Sequence, residues 1–201
     1  MENKNFKLMT DRVDALLDIR QLIEDFFLYA QLNKIEIYNE FSLQHELGIF
    51  LRDNLQGYRI QFERNVSYFI PDNKTIKKEI DITIFNEDKS EKYAIELKHP
   101  LNGQHPEQMY SFVKDIKFME ELKDRGFNKT ATVTLVSDRP FYEGRNNEGI
   151  YKYFREGYAV YGQIFKPTGP LKGKDSITLK GNYEFSWRPV YSNSRYYVIE
   201  V

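Results

Sequence analysis

Two runs of apolar alternation, KKEIDITIF at 77–85 and KYAIELKH at 92–99, flank the polar segment Asn86 to Glu91. Alternation with period two marks a half-buried strand, and a short polar break between two such runs reads as the turn of an antiparallel hairpin. Centring that turn sets Ile80, Ile82 and Ile84 beside Leu97, Ile95 and Tyr93 on one face. Glu79, Asp81 and Thr83 then oppose Lys98, Glu96 and Ala94 on the other. A slip of one residue would turn the isoleucines into water, so the apolar pattern alone specifies the register.

The rest of the chain is organised around this hairpin. Val13, Leu16, Leu17, Ile19, Leu22, Ile23, Phe26, Phe27 and Ala30 form one helical stripe behind Thr10 and Asp11, predicting a helix over 11–31. A second helix is expected at 39–55, stopped by Gly57, and a first strand at 58–69. After the hairpin come a long helix from Pro106 to Arg125, stopped by Gly126, and a β-branched strand at 131–138. The middle of the protein thus runs helix, three strands, helix, strand. Beyond it the sequence predicts a helix at 147–156, a strand at 158–165, a Gly/Pro/Lys loop at 166–175, and strands near 176–189 and 194–201. Nothing resembles an interdomain linker in the 201 residues, so the expectation is one α/β domain, with a core at about 39–138 and a β-rich extension at about 145–201.

In the hairpin register Asp81 faces Glu96, about 5 Å apart, and like charges so placed are destabilising without a cation. Two carboxylates at that spacing suit one divalent ion, and an all-oxygen set favours Mg2+ or Mn2+ over zinc. Lys98, two residues beyond Glu96, projects to the same side and offers a positive charge to orient or deprotonate a water. With no cysteine, thiolate zinc sites, disulfides and cysteine nucleophiles are excluded. A zinc site from the three histidines would need His45 and His105 to converge without His99, which strand parity places on the apolar face.

EID at 79–81 followed by IELK at 95–98, in that order of elements, resembles the PD-(D/E)XK nuclease superfamily. The resemblance covers about half the chain and implies a restriction-endonuclease-like fold. It also implies metal-dependent hydrolysis of phosphodiesters in nucleic acid, DNA ahead of RNA, with Asp81, Glu96 and the carbonyl of Leu97 on the metal. Lys98 would position or deprotonate the attacking water, and Glu46, on the 39–55 helix, would be the additional carboxylate. Gln108, in the QHPEQMY segment with Gln104, matches the glutamine that some branches place on the following helix. The chain departs from the pattern in having Ile80, not proline, before Asp81.

The competing reading is a solvated ribbon face in which Glu79 pairs with Lys98, on a nuclease fold that serves as an inactive binding or interaction module. Net charge is −1, but residues 1–50 carry 5 Lys/Arg against 9 Asp/Glu, and residues 145–201 carry 9 against 5. The basic C-terminal part interleaves aromatics with cations at Tyr151, Lys152, Tyr153, Phe154 and Arg155 and again at Tyr183, Trp187, Arg188, Tyr191, Arg195 and Tyr196, and adds Lys172 and Lys174 in a Gly/Pro loop. Such sets contact phosphates and bases, although most aromatics in a chain this rich in Tyr and Phe serve packing. No Walker loop, GxSxG elbow or Ser-His-Asp arrangement is present, which leaves NTPase and serine-hydrolase chemistry without a foothold. The expectation is a cytoplasmic protein with no membrane span or secretory signal, whose partner is nucleic acid and which could pair with a second copy or a partner protein.

Overall fold

The computed structural model describes residues 16–71, 74–101 and 103–201. Helix α1 spans Ile19–Leu32. Its start lies later than the predicted 11, because Asp18 caps it by accepting from the Gln21 amide; Val13 and the Thr10/Asp11 cap fall outside the described residues. Helix α2, Glu40–Asn54, opens on a reciprocal cap in which Asn39 accepts from the Ser42 amide and Ser42 Oγ from the Asn39 amide. That cap places Glu40 in the first turn.

Strand β1 covers Arg59–Asn65 and gives way to a 3-10 turn at Val66–Tyr68, shorter than the predicted 58–69. Strands β2, Glu79–Phe85, and β3, Lys92–Lys98, form the expected hairpin with pairs Ile82↔Ile95, Thr83↔Ala94, Ile84↔Tyr93 and Phe85↔Lys92. The Asn86 side chain receives the Glu91 amide and the Asn86 amide donates to the Glu91 carbonyl, so the turn itself holds the register. Helix α3 is His105–Asp124 and strand β4 is Lys129–Val136, pairing parallel to β3.

The C-terminal part corrects the simple picture of an appended extension. Helix α4 is only Tyr151–Arg155. Strands β5, Val160–Phe165, and β6, Ser176–Tyr183, form a separate two-stranded ribbon. The predicted 176–189 strand breaks, leaving a two-residue β7 at Arg188–Pro189, while β8, Arg195–Glu200, enters the main sheet antiparallel to β4. The main sheet therefore runs β1-β2-β3-β4-β8-β7, mostly antiparallel, in a mixed α/β fold. Among the described residues no helix is long and apolar enough to cross a membrane.

Helices α1 and α2 cover one face, where Ile23, Phe26, Phe27, Leu43, Leu47 and Leu51 meet Ile82, Ile84, Ile95, Val133 and Val198. Helix α3 covers the other, and Phe112, Val113 and Ile116 share a cluster with Tyr197, Ile199 and the β5–β6 ribbon. Alternation along β8 sends Tyr196 and Val198 one way and Tyr197 and Ile199 the other. Each buried apolar side chain of this kind contributes about 1.5–3 kcal/mol, which holds both layers against the sheet.

Candidate active site

The β2–β3 ladder ends at Ile82↔Ile95, so Asp81 and Glu96 meet where the strands part rather than as a regular opposed pair. Asp81 Oδ2 accepts the Leu97 amide at 2.7 Å. Its own amide lies 3.4 Å from Glu96 Oε1. On the other side of β2, Glu63 of β1 has φ 48° between the pairs Phe62↔Ile82 and Arg64↔Ile80. A non-glycine residue in that region is strained, and here the strain falls on the β1 residue opposite Asp81, where the β2–β3 pairing also ends. One consequence corrects the expectation for Ile80. It does not join Ile82 and Ile84 but packs beneath α3 with Ala94, Phe118 and Met119, because β2 has turned over by then.

Helix α2 supports this break with a face that the sequence reading missed. Gln44 Nε2 donates to the Asp81 carbonyl at 2.9 Å and to Glu63 Oε1 at 2.6 Å. One turn earlier, Glu40 accepts from Lys98 Nζ at 3.3 Å and from the His99 amide at 3.1 Å. Glu46 is not brought to the centre: it lies two residues past Gln44, about 200° further round the helix, and its carboxylate sits 3.5 Å from His45 Nδ1. Glu40, not Glu46, is the α2 carboxylate that faces the hairpin, and it is engaged by Lys98 and the His99 amide. Lys98 likewise turns to Glu40 and to the Leu97 carbonyl, at 2.9 Å, rather than to Glu79.

Two further groups come from outside the motif. Lys77 pairs with Glu96 and places its ammonium 2.6 Å from Asp115 Oδ1 on α3. That ammonium approaches Asp115 off the hydrogen-bonding direction, and neither buried Asp115 oxygen has a hydrogen bond of good geometry. Asp115 was detectable in the sequence as a carboxylate three residues after Phe112 and four before Met119, within the apolar stripe of α3. Lys77 carried no comparable signal. Gln108 is half-buried in the first turn of α3, two helical turns before Asp115, while Gln104 caps the helix from an exposed position. The histidines do not converge: His45 is exposed on α2, His99 is buried with Nδ1 on the Leu135 carbonyl, and His105 is 3.3 Å from Asp138.

Burial governs the electrostatics. It raises the Asp81 carboxyl to about 6, against the pull of Lys98 and the Leu97 amide. Burial and the adjoining Asp81 also push Glu96 well up, with Lys77 opposing. Burial works against both ammoniums, yet Asp115 and Glu96 hold Lys77 above its ordinary value, and Asp115, Glu40 and Asp81 do the same for Lys98. Lys98 is therefore a standing cation, suited to orienting a water or a phosphate oxygen rather than to accepting a proton.

No family model matches this chain, and no curated protein or solved structure is significantly similar to it. The chemistry rests on the geometry alone.

Among the described residues no three His, Asp or Glu side chains converge as a ready-made metal cage. A hard ion would rest on Asp81 and Glu96, the Leu97 carbonyl and water, beside a recess of about 40 Å³ lined by Glu40, Phe41, Gln44, Glu63, Asp81 and Leu97. The charge fits that use. Glu40, Asp81, Glu96 and Asp115 surround Lys77 and Lys98, so the fully ionised set carries two negative charges more than positive. The Leu97 carbonyl already receives Lys98, so a metal there would share that oxygen with the lysine or displace it.

Proposed function

We propose that this chain is a metal-dependent phosphodiesterase of the PD-(D/E)XK kind, acting on nucleic acid, with DNA as the first substrate to test. The observation that carries the reading is the pair Asp81 and Glu96 at the parting of β2 and β3, part of a set of four carboxylates gathered round two lysines. The order α2, β1, β2, β3, α3, β4, with β4 parallel to β3, supports a restriction-endonuclease-like core.

Asp81 and Glu96 would hold Mg2+ or Mn2+, with the Leu97 carbonyl. A bound ion of this type acidifies a water and neutralises charge gathering on the phosphate oxygens. The protein's own groups do the remaining work. Gln44 fixes the Asp81 backbone, and Lys77 holds Glu96 and Asp115 against their mutual repulsion. Glu40 anchors Lys98, whose ammonium orients the attacking water against the phosphate.

A second reading has its own observation. Lys77 already sits between two buried carboxylates as an internal counter-ion, which would suit an inactive binding or interaction module. Incubation with supercoiled, linear and single-stranded DNA and with RNA, each with Mg2+ or Mn2+, separates the two. The nuclease reading expects cleavage that is lost in Glu96→Ala and Lys98→Ala, with binding retained in the latter. Cleavage that survives both substitutions, or none under any condition, overturns it.

A further inference from the structure

The C-terminal part builds a second concavity. An open cleft of about 560 Å³ lies between α4, the loop after β5 and the N-terminal end of α3, which contributes Pro106. Its lining brings together Lys152, Lys166 and Lys172 with the rings of Tyr151, Tyr153 and Phe165. Phe165 is 50% exposed, in a chain whose large aromatics are mostly packed. Arg155 lies 4.0 Å over the Tyr151 ring and backs it from one side. Glu107 draws on Lys166 at 3.7 Å, and its carboxylate also takes the Thr168 hydroxyl, which ties the loop to α3. Among the described residues neither Lys152 nor Lys172 has a carboxylate partner, and Glu148 is the acidic group of the lining.

Other aromatics of the C-terminal part are committed elsewhere. Trp187 donates to the Phe154 carbonyl, Tyr183 to Glu120 and Tyr191 to the Ile35 carbonyl, while Tyr196 stacks on Phe27. In the cleft, by contrast, three lysines and three rings share one open lining.

We infer that this cleft binds a single strand of nucleic acid, with phosphates on Lys152 and Lys172 and bases against Tyr153 and Phe165. Cationic side chains interleaved with exposed rings hold unpaired strands because every base offers a flat face, whereas paired bases in a duplex hide theirs. The inference rests on the nuclease reading for its direction. β3 ends at Lys98 and α3 begins at His105, so the end of α3 that lends Pro106 to the cleft follows in the chain directly on the strand that carries Lys98. Nine positions along α3 separate Pro106 from Asp115, about 14 Å at 1.5 Å per residue, or roughly four stacked nucleotides at 3.4 Å each. Measured along the α3 axis, the centre lies within a few nucleotides of the cleft, and the substrate class that follows is single-stranded or frayed nucleic acid.

Fluorescence anisotropy of labelled dT12 and rU12 with the full chain in EDTA tests this without cleavage. The wild type binds with a salt slope of about −1.4, the value for two phosphates on a single strand. Lys152→Ala/Lys172→Ala weakens binding at least tenfold at low salt and flattens the slope toward zero. Tyr153→Ala weakens it without changing the slope. Glu46→Ala, whose side chain is turned away from the carboxylate centre, binds as the wild type does, and melting temperatures of all variants stay within a few degrees. Unchanged affinity in the double lysine variant overturns the inference, as does equally tight, equally lysine-dependent binding of a 12-base-pair duplex. Cleft-dependent binding without cleavage under Mg2+ or Mn2+ removes the nuclease reading and leaves the cleft. Cleavage with unchanged KM in the double variant removes the cleft and leaves the nuclease reading.

Discussion

Asp81 turns its carboxylate onto the backbone of the neighbouring strand, accepting the Leu97 amide at 2.7 Å just past the end of the β2–β3 ladder. A strand that stops pairing exposes backbone donors, and here one of them is satisfied by a side chain with chemistry of its own. Asp81→Asn keeps an acceptor for Leu97 and removes the charge. The variant is expected to fold and, without metal, to melt no lower than the wild type. Addition of Mn2+ should raise the wild-type melting temperature and leave the variant nearly unmoved. Equal shifts would remove Asp81 from any metal site.

The two helix carboxylates should behave oppositely. Glu40→Ala, which frees Lys98 and the His99 amide, is expected to lower cleavage at least tenfold, whereas Glu46→Ala leaves it within twofold. A loss confined to Glu46→Ala would reverse the assignment.

Lys77 is the counter-ion of a buried pair, and removing one partner of such an arrangement costs about 3–5 kcal/mol. Lys77→Met should show that loss in urea unfolding, with part recovered in Lys77→Met/Asp115→Asn as the repulsion between Glu96 and Asp115 is relieved. Mn2+ should stabilise Lys77→Met more than the wild type, because the ammonium no longer competes. An unchanged unfolding midpoint in Lys77→Met would contradict the bridging role.

The pH dependence follows from the raised carboxyls. A carboxyl whose folded pKa lies above its unfolded value contributes stability at low pH that is lost as pH rises through the folded value. For Asp81 that window runs from its ordinary 3.8 to about 6, with Glu96 acting in the same direction. In EDTA the wild type should lose stability relative to Asp81→Asn between pH 4 and 7. Metal binding and cleavage need the ionised form, so both should fall about tenfold per unit below pH 6. A flat melting difference across that range would refute the assignment.

Packing makes one prediction independent of chemistry. A Cβ at Gly48 of α2 would drive into the Phe62 ring. Gly48→Ala should destabilise by about 1–3 kcal/mol despite the better helix propensity of alanine, and Phe62→Leu should restore part of it.

Sequence periodicity determined the order of elements as far as β4 and the hairpin register from Ile82 to Phe85, because alternation in β2 and β3 and the Asn86–Glu91 turn are local and each excludes a slip. It therefore also determined that Asp81, Glu96 and Lys98 lie close along one ribbon. What tertiary structure decided was which distant groups reach them. The rotation of α2, held by the Asn39–Ser42 cap and the burial of Leu43, Leu47 and Leu51, presents Glu40 and Gln44 and turns Glu46 away. The docking of α3 brings in Asp115, and the irregular approach to β2 brings in Lys77. β8 is a hydrogen-bonded neighbour of β4 although some 60 residues of chain intervene. Such placements depend on long loop closures and on whole faces competing for burial, quantities that no short window of residues encodes.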